Sequence, residues 1–288
     1  MYPVTLIIIS CFFFSVLAAL IKFNSAYIHP IEQAFFRNFI SIFLLLPFFF
    51  KKNFWAPKKE NFKLLFLRTF FGGITMILLF WSYSLIPLSQ AMAISFSTPL
   101  FIYFGGVLFF GEKINTRMTF YTLLGFILTI TIIRPSTDLE TGALLALAAA
   151  ITHAIAGLIV KKLSLSENVF TLMFSMVCLM APITFIPSVF VWETPDSSLV
   201  YFILLLVGIS ATLGNFCWTK SISLAKLTNI MPFDFTKLLF STIIGLFFFN
   251  EEIDSITIIC GTSLIICNTL MVRNVKKRKY EKNILPNN

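Results

Sequence analysis

The stretch "DFTKLLFSTIIGLFFFNEEI", residues 234–253, repeats an earlier one, "SFSTPLFIYFGGVLFFGEKI" at 95–114, so that Ser95 falls on Asp234 at an offset of 139. Extending the comparison to 87–114 against 226–253 gives ten identities in 28 positions, among them Phe96/Phe235, Gly106/Gly245, Glu112/Glu251 and Ile114/Ile253. A Phe-rich composition accounts for part of this agreement. It does not account for a Gly and a Glu aligned at the same distance from the end of an apolar run. The same offset carries Lys22 onto Lys161, and an offset of 137 carries Trp81 onto Trp218. A repeat of this length implies two copies of one unit.

The setting is a chain of 288 residues, 58% hydrophobic and 12% charged, with mean hydropathy +0.89. Soluble domains carry roughly 25% charged residues. Here the apolar residues also fall in long runs instead of on one helical or strand face, as membrane spans require. Taking about 20 apolar residues per span places ten helices near 4–23, 32–50, 63–86, 88–110, 116–134, 141–161, 167–191, 197–221, 226–249 and 254–272. Pro30, Pro57, Pro87, Pro135 and Pro195 fall in the breaks, where helix-stopping residues belong. Continuous runs without two-residue alternation exclude a membrane β-barrel. "MYPVTLIIIS" lacks the basic start and small-residue cleavage site of a signal peptide, so the first run reads as a span. The five cysteines lie in apolar runs without CxxC spacing and read as small hydrophobes, with neither disulfide nor metal expected.

Net charge is +9, but the cations gather between the runs and in the tail, which is not a nucleic-acid stripe. With the N-terminus cytoplasmic, the inner loops and tail collect sixteen Lys and Arg, and the outer ends only Lys22 and Arg134. The positive-inside rule therefore predicts both termini in the cytoplasm. The tail "RNVKKRKYEK" (273–282) anchors topology, or touches anionic lipid. Residues 1–139 and 140–273 then each hold five spans, followed by the basic tail 274–288. Five is odd, so the second copy must start on the opposite side. Inverted repeats of this kind place a substrate site near midplane, where the halves meet. The expected fold is all-α: ten transmembrane helices as two inverted five-helix repeats.

With these runs in hand, "IEQAFFRNFISIFLLLP" (31–47), "PFDFTKLLFSTIIGLFFFNEE" (232–252) and "FFGEKI" (109–114) resemble the EamA-type drug/metabolite transporter superfamily. The likeness covers essentially the whole chain and is similar to the bacterial S-adenosylmethionine uptake branch. Lys237 stands where that superfamily often has Arg. The resemblance implies a transporter in the bacterial cytoplasmic membrane. Members of the superfamily move amino acids, nucleotide-like metabolites and drugs, so it implies a cargo class only broadly.

The polar residues inside the spans are the candidates for function. A charge at the bilayer centre costs roughly 2.5–3.5 kcal/mol on insertion scales, so it must pair or face a wet cavity. Asp234 and Lys237, three residues apart on one helix face, are able to do both. They read either as a self-neutralising structural pair or as ligands to a zwitterion, with Asp234 also a candidate proton carrier. Arg37 lies too deep in span two for comfortable snorkelling. Arg68 sits near a span end, where snorkelling is the expectation, and Lys220 divides between snorkelling and gating. Trp81, Tyr83, Gln90, Ser97, Asn215 and Trp218 supply flat faces and hydrogen bonds for a small organic cargo; packing is the competing reading for both tryptophans. His153 reads as a satisfied core residue or a proton relay. Ser95, Ser97 and Thr98 occupy the repeat positions of Asp234, Thr236 and Lys237, so the partner face is polar but uncharged.

No GxxxxGK[ST] loop, HExxH or GxSxG occurs, which argues against ATP-driven pumping and membrane-embedded hydrolysis. The expectation is a secondary transporter, not an enzyme and without a cofactor. Its partners are a small-molecule metabolite and the lipid bilayer, not nucleic acid, with a proton or counter-substrate as coupling partner. The rival is an integral-membrane enzyme acting on a lipid or prenyl substrate, which needs an acid cluster or activated nucleophile that a lone Asp234 does not supply. A scaffold or sensor has no need of a midplane charge pair.

Overall fold

A computed structural model describes residues 2–50, 57–86, 91, 94–95, 97–113, 116–133, 141–195, 197–249, 259, 262–263 and 266. Among the described residues all regular structure is helical. The elements are α1 (Tyr2–Asn24), α2 (Pro30–Phe49), α3 (Phe62–Leu85), α4 (Ser97–Phe110), α5 (Thr116–Ile133), α6 (Thr141–Leu163), α7 (Val169–Ser188) and α8 (Ser198–Leu224). The ninth, α9, is broken: α-helix Leu227–Ile230, a 3-10 stretch Met231–Phe235, then α-helix Thr236–Phe249. Among the described residues seven runs are long and apolar enough to cross a bilayer, the described parts of α4 and α5 being shorter. The expected tenth span, 254–272, lies outside the described residues except for Ile259, Thr262, Ser263 and Ile266, which are helical.

These helices are apolar all round, as expected where both neighbours and solvent are hydrocarbon. Large side chains remain exposed on the rim, Phe109 at 74%, Phe190 at 84% and Phe248 at 78% among them. In water such a surface aggregates; against lipid it carries no penalty. Burial therefore separates the faces by size and polarity. Small and hydroxyl residues turn inward and let backbones approach. Gly73 faces Ile183 of α7, where a methyl group would meet Cγ2 at 3.0 Å, and Gly105 faces Leu158 of α6.

The ends of the helices carry the repeat offset into three dimensions. α1 and α6 start at Tyr2 and Thr141 and end at Asn24 and Leu163; α3 and α8 end at Leu85 and Leu224. His29 caps α2 and Asn168 caps α7, each with a side-chain acceptor for a first-turn N–H. Both caps follow the same tight turn, in which Ser25 N–H bonds Ile21 O and Ser164 N–H bonds Val160 O. Between helices, Ser82 Oγ donates to Gly142 O at 2.8 Å, joining α3 to α6, and Ser221 Oγ donates to Pro3 O at 2.7 Å, joining α8 to α1. Every one of these pairs keeps the offset that carries Ser95 onto Asp234.

The two halves are interleaved instead of sitting side by side. α3 packs most extensively on α6 and α1 on α8. Further bonds cross between halves: Asn38 Nδ2 to Thr184 Oγ1 at 3.2 Å, Thr75 Oγ1 to Thr152 Oγ1 at 2.8 Å, and Thr212 Oγ1 to Ser41 Oγ at 2.8 Å. Glu112, buried after α4, accepts from the N–H groups of Leu227 and Thr228 at 3.0 and 2.9 Å. A carboxylate from the first half thus caps the first turn of α9 in the second. Beside it, Lys161 Nζ donates to Ile222 O and Ala225 O at 2.9 and 2.6 Å, closing the carbonyl end of α8.

Candidate functional site

A cavity of about 150 Å³ opens between the halves, lined by α1, α2, α3, α6, α7, α8 and α9 together with Ser95 and Thr98. The break in α9 is what puts its charges there. Pro232 has no N–H to donate, and the chain takes a 3-10 turn over Met231–Phe235 before resuming as α-helix at Thr236. A short 3-10 stretch inside a helix often marks a hinge or a strained sequence. Asp234 ends up on the inner face, 5% exposed, and Lys237 one turn on.

Lys237 Nζ lies 3.0 Å from Asp234 Oδ2. The Cys11 thiol points at Asp234 Oδ1 from 3.6 Å, Ser15 Oγ donates to Lys237 O at 2.9 Å, and the ammonium sits 5.3 Å above the Phe14 ring. α1 therefore supplies the wall against which the pair is held. Cys11 is more than the small hydrophobe its sequence context suggested, because its S–H faces the one acid of the cavity lining among the described residues.

Arg37, Tyr83, Asn215 and Trp218 join Asp234 and Lys237 around the cavity. The indole of Trp218 lies 5.5 Å from the His153 ring at 36°, and Asn215 Nδ2 is turned to its own helix at Ala211 O, 2.8 Å. Trp81 does not join them; it is 40% exposed and points away from the cavity. The reason is helical phase. Residues two apart differ by about 200° on a helix, so Tyr83 facing inward turns Trp81 outward. Ser97 fails for the same reason: Ser95 and Thr98, three apart, reach the cavity, while buried Ser97 donates to Ile94 O at 2.7 Å. Gln90 lies outside the described residues.

Arg68 does not snorkel. It is 4% exposed, donates from Nη1 to Leu172 O at 2.8 Å, and lines the cavity with Thr75, Met76 and Leu79 of the same helix. His153 lines it as well. Both were visible in spacing: 68, 72, 75, 76, 79 and 83 on α3, and 153, 156, 157 and 160 on α6, all face inward and follow the helical period, a signal that charge counting ignores.

The lining is itself paired at the repeat offset. Phe14 and His153, Leu79 and Trp218, Ser95 and Asp234, Thr98 and Lys237, and Arg37 and Met176 all face the cavity. The offset of 137 that joined the two tryptophans has no such counterpart, since Leu79 and not Trp81 is opposite Trp218. In each pair one half contributes an ionic or heteroaromatic group and the other a neutral or simpler one.

The EamA-like transporter family matches the chain twice, over residues 1–134 and 140–273. The chain belongs to the EamA-like transporter family. It is thus a multi-pass membrane protein. It is similar to the S-adenosylmethionine uptake transporter of Rickettsia bellii, 31% identical over 91% of this chain and 90% of that one. It is also similar to the riboflavin transporter of Vibrio cholerae, 27% identical over 76% and 74%. A pseudopaline exporter of Pseudomonas aeruginosa is 25% identical over 95% and 96%. A solved crystal structure superposes with a TM-score of 0.79 at 12% identity, covering 94% of this chain and 98% of its own. That likeness bears on the fold alone. Family membership agrees with the reading as a transporter instead of an enzyme, and the family includes members named for uptake and for export.

Proposed function

We propose that this EamA family member is a secondary transporter that moves a small organic metabolite across a bacterial cytoplasmic membrane by alternating access. The observation that carries the proposal is the cavity lined by residue pairs at the repeat offset, with the Asp234–Lys237 ion pair in its wall. A cavity built from two copies of one unit, each in reversed orientation, has two equivalent ways of opening, one to each side. Ten spans, an inverted arrangement and cytoplasmic termini complete the picture, supported by the odd number of spans per copy and by the distribution of Lys and Arg.

The cargo carries both signs of charge. Asp234 receives a cationic group, and the Trp218–His153 pair offers a flat face beside it. The S-adenosylmethionine uptake relatives make that sulfonium amino acid the first compound to test. About 150 Å³ holds a group no larger than a benzene ring, so a nucleoside-sized cargo requires the halves to part further than they do here. Asp234 is also the carboxylate through which a coupled proton would pass.

The test is counterflow in proteoliposomes holding the purified protein, with labelled S-adenosylmethionine, amino acids, riboflavin and nucleosides. Saturable exchange of at least one is expected. A folded protein that exchanges none of them refutes the proposal. Release of a cleaved lipid product would favour the enzyme reading instead.

A further inference from the structure

We propose that Arg37 and Arg68, in the wall of one cavity, form an oxyanion subsite, and that the cargo must present a carboxylate or phosphate to it. The inference rests on the transporter reading for its biological meaning, but its observations are separate.

Among the described residues lining the cavity there are three cations, Arg37, Arg68 and Lys237, against one acid, Asp234. Lys237 already holds Asp234 at 3.0 Å, so that pair is neutral as a unit and leaves two guanidinium charges unanswered. Arg37 is only 8% exposed. Its Nη1 touches the Met76 thioether at 2.7 Å and Asn38 Oδ1 at 3.4 Å, and its buried Nε has no partner among the described residues. Arg68, 4% exposed, spends one N–H on the Leu172 carbonyl. A guanidinium has five N–H donors in a planar fork; thioethers and amide oxygens answer few of them and none of the charge.

A buried cation without an anion is unstable unless something supplies one. Among the described residues no second carboxylate lines the cavity to do so. An oxyanion of the cargo matches the fork geometry of arginine, which favours carboxylate and phosphate over a point charge. The subsite belongs to one half only. The repeat offset carries Arg37 onto Met176 and Arg68 onto Val207, both apolar. The cargo therefore enters in one orientation, its anion toward α2 and α3 and its remainder toward Asp234 and the Trp218–His153 face. Asn38, fixed by its bonds to Ala34 O and Thr184 Oγ1, positions the α2 side of the subsite.

Matched ligand pairs test this without knowledge of the natural cargo. Thermal stabilisation and equilibrium binding are measured on the whole purified protein for three pairs. These are S-adenosylmethionine against its decarboxylated form, phenylalanine against phenylalaninamide, and adenosine monophosphate against adenosine. The expected result is that at least one oxyanion-bearing member binds, at least about tenfold tighter than its neutral partner, as loss of a charged hydrogen-bond set implies. The first two pairs report a carboxylate site and the third a phosphate site. Arg37→Gln is expected to reduce that discrimination to about twofold, and Arg37→Lys to retain part of it. Equal binding within every pair, no binding by any oxyanion-bearing member, or undiminished discrimination in Arg37→Gln each overturn the subsite. If Arg37→Gln does not fold, the pairs on the unaltered protein still decide. Exchange of the neutral members at full rate defeats the subsite while leaving transport standing. Oxyanion binding without any flux does the reverse.

Discussion

Replacing Asp234 by Asn is a nearly isosteric experiment on a buried charge, because it leaves Lys237 in place. The two atoms stand 3.0 Å apart, with the Lys and Asp side chains 15% and 8% exposed. At an effective dielectric near 20 that separation corresponds to about 5 kcal/mol of attraction. Part of it offsets desolvation, and removing one member of such a pair destabilises by about 3 kcal/mol because the other charge is stranded. The Phe14 ring 5.3 Å away returns roughly 0.5–1 kcal/mol. The melting temperature of the detergent-solubilised protein is expected to fall on the order of 5–10 °C. The double variant Asp234→Asn/Lys237→Met removes both charges and is expected to recover most of that loss. Transport separates structure from function: neither variant is expected to take up cargo, although the double variant is folded. The reasoning is refuted if Asp234→Asn melts within a degree of the parent, or if the rescued double variant transports normally.

The two tryptophans that sequence treats alike should behave differently. Trp81→Phe is expected to leave uptake unchanged, whereas Trp218→Ala, checked for folding by size exclusion, lowers it at least tenfold through loss of a cavity face (about 1.4 kcal/mol or more). Ser82→Ala and Ser221→Ala remove bonds that correspond at the repeat offset. Each should cost about 0.6 kcal/mol in thermal unfolding, the two adding in the double variant; a difference above about 1 kcal/mol between them speaks against equivalent roles. Glu112→Ala strands two first-turn N–H groups of α9 and is expected to destabilise by about 1–2 kcal/mol, with Glu112→Gln milder. Partial burial lowers the His29 pKa from its ordinary 6.5, against an opposing pull from Glu193, and Nδ1 accepts from Ile31 N–H. The folded state thus prefers neutral His29, so its contribution to stability is full above pH 6.5 and declines as pH falls below it. His29→Asn, which copies Asn168 in the α7 cap, should flatten that slope in melting curves taken from about pH 7.5 to 5.5.

The amino-acid sequence by itself determined that the protein spans a membrane many times as helices, because long apolar runs have no other stable home. It also set the repeat offset, since two copies of a folding unit must repeat their Gly, Glu and hydroxyl positions to repeat their packing. It identified Asp234, Lys237 and Arg37, because charge inside hydrocarbon is too costly to be incidental. Only the tertiary structure decided which side chains share the cavity. Trp81 and Tyr83 look equally suitable in a line of letters, yet the helical period points one at lipid and the other inward. Arg68 passed for a snorkelling side chain because depth along a helix is legible in sequence, while direction around it depends on which neighbour it packs against. The carboxylate of Glu112 across the start of α9 joins the end of one half to a distant helix of the other. No local pattern encodes such a contact, because it exists only once the two halves interleave.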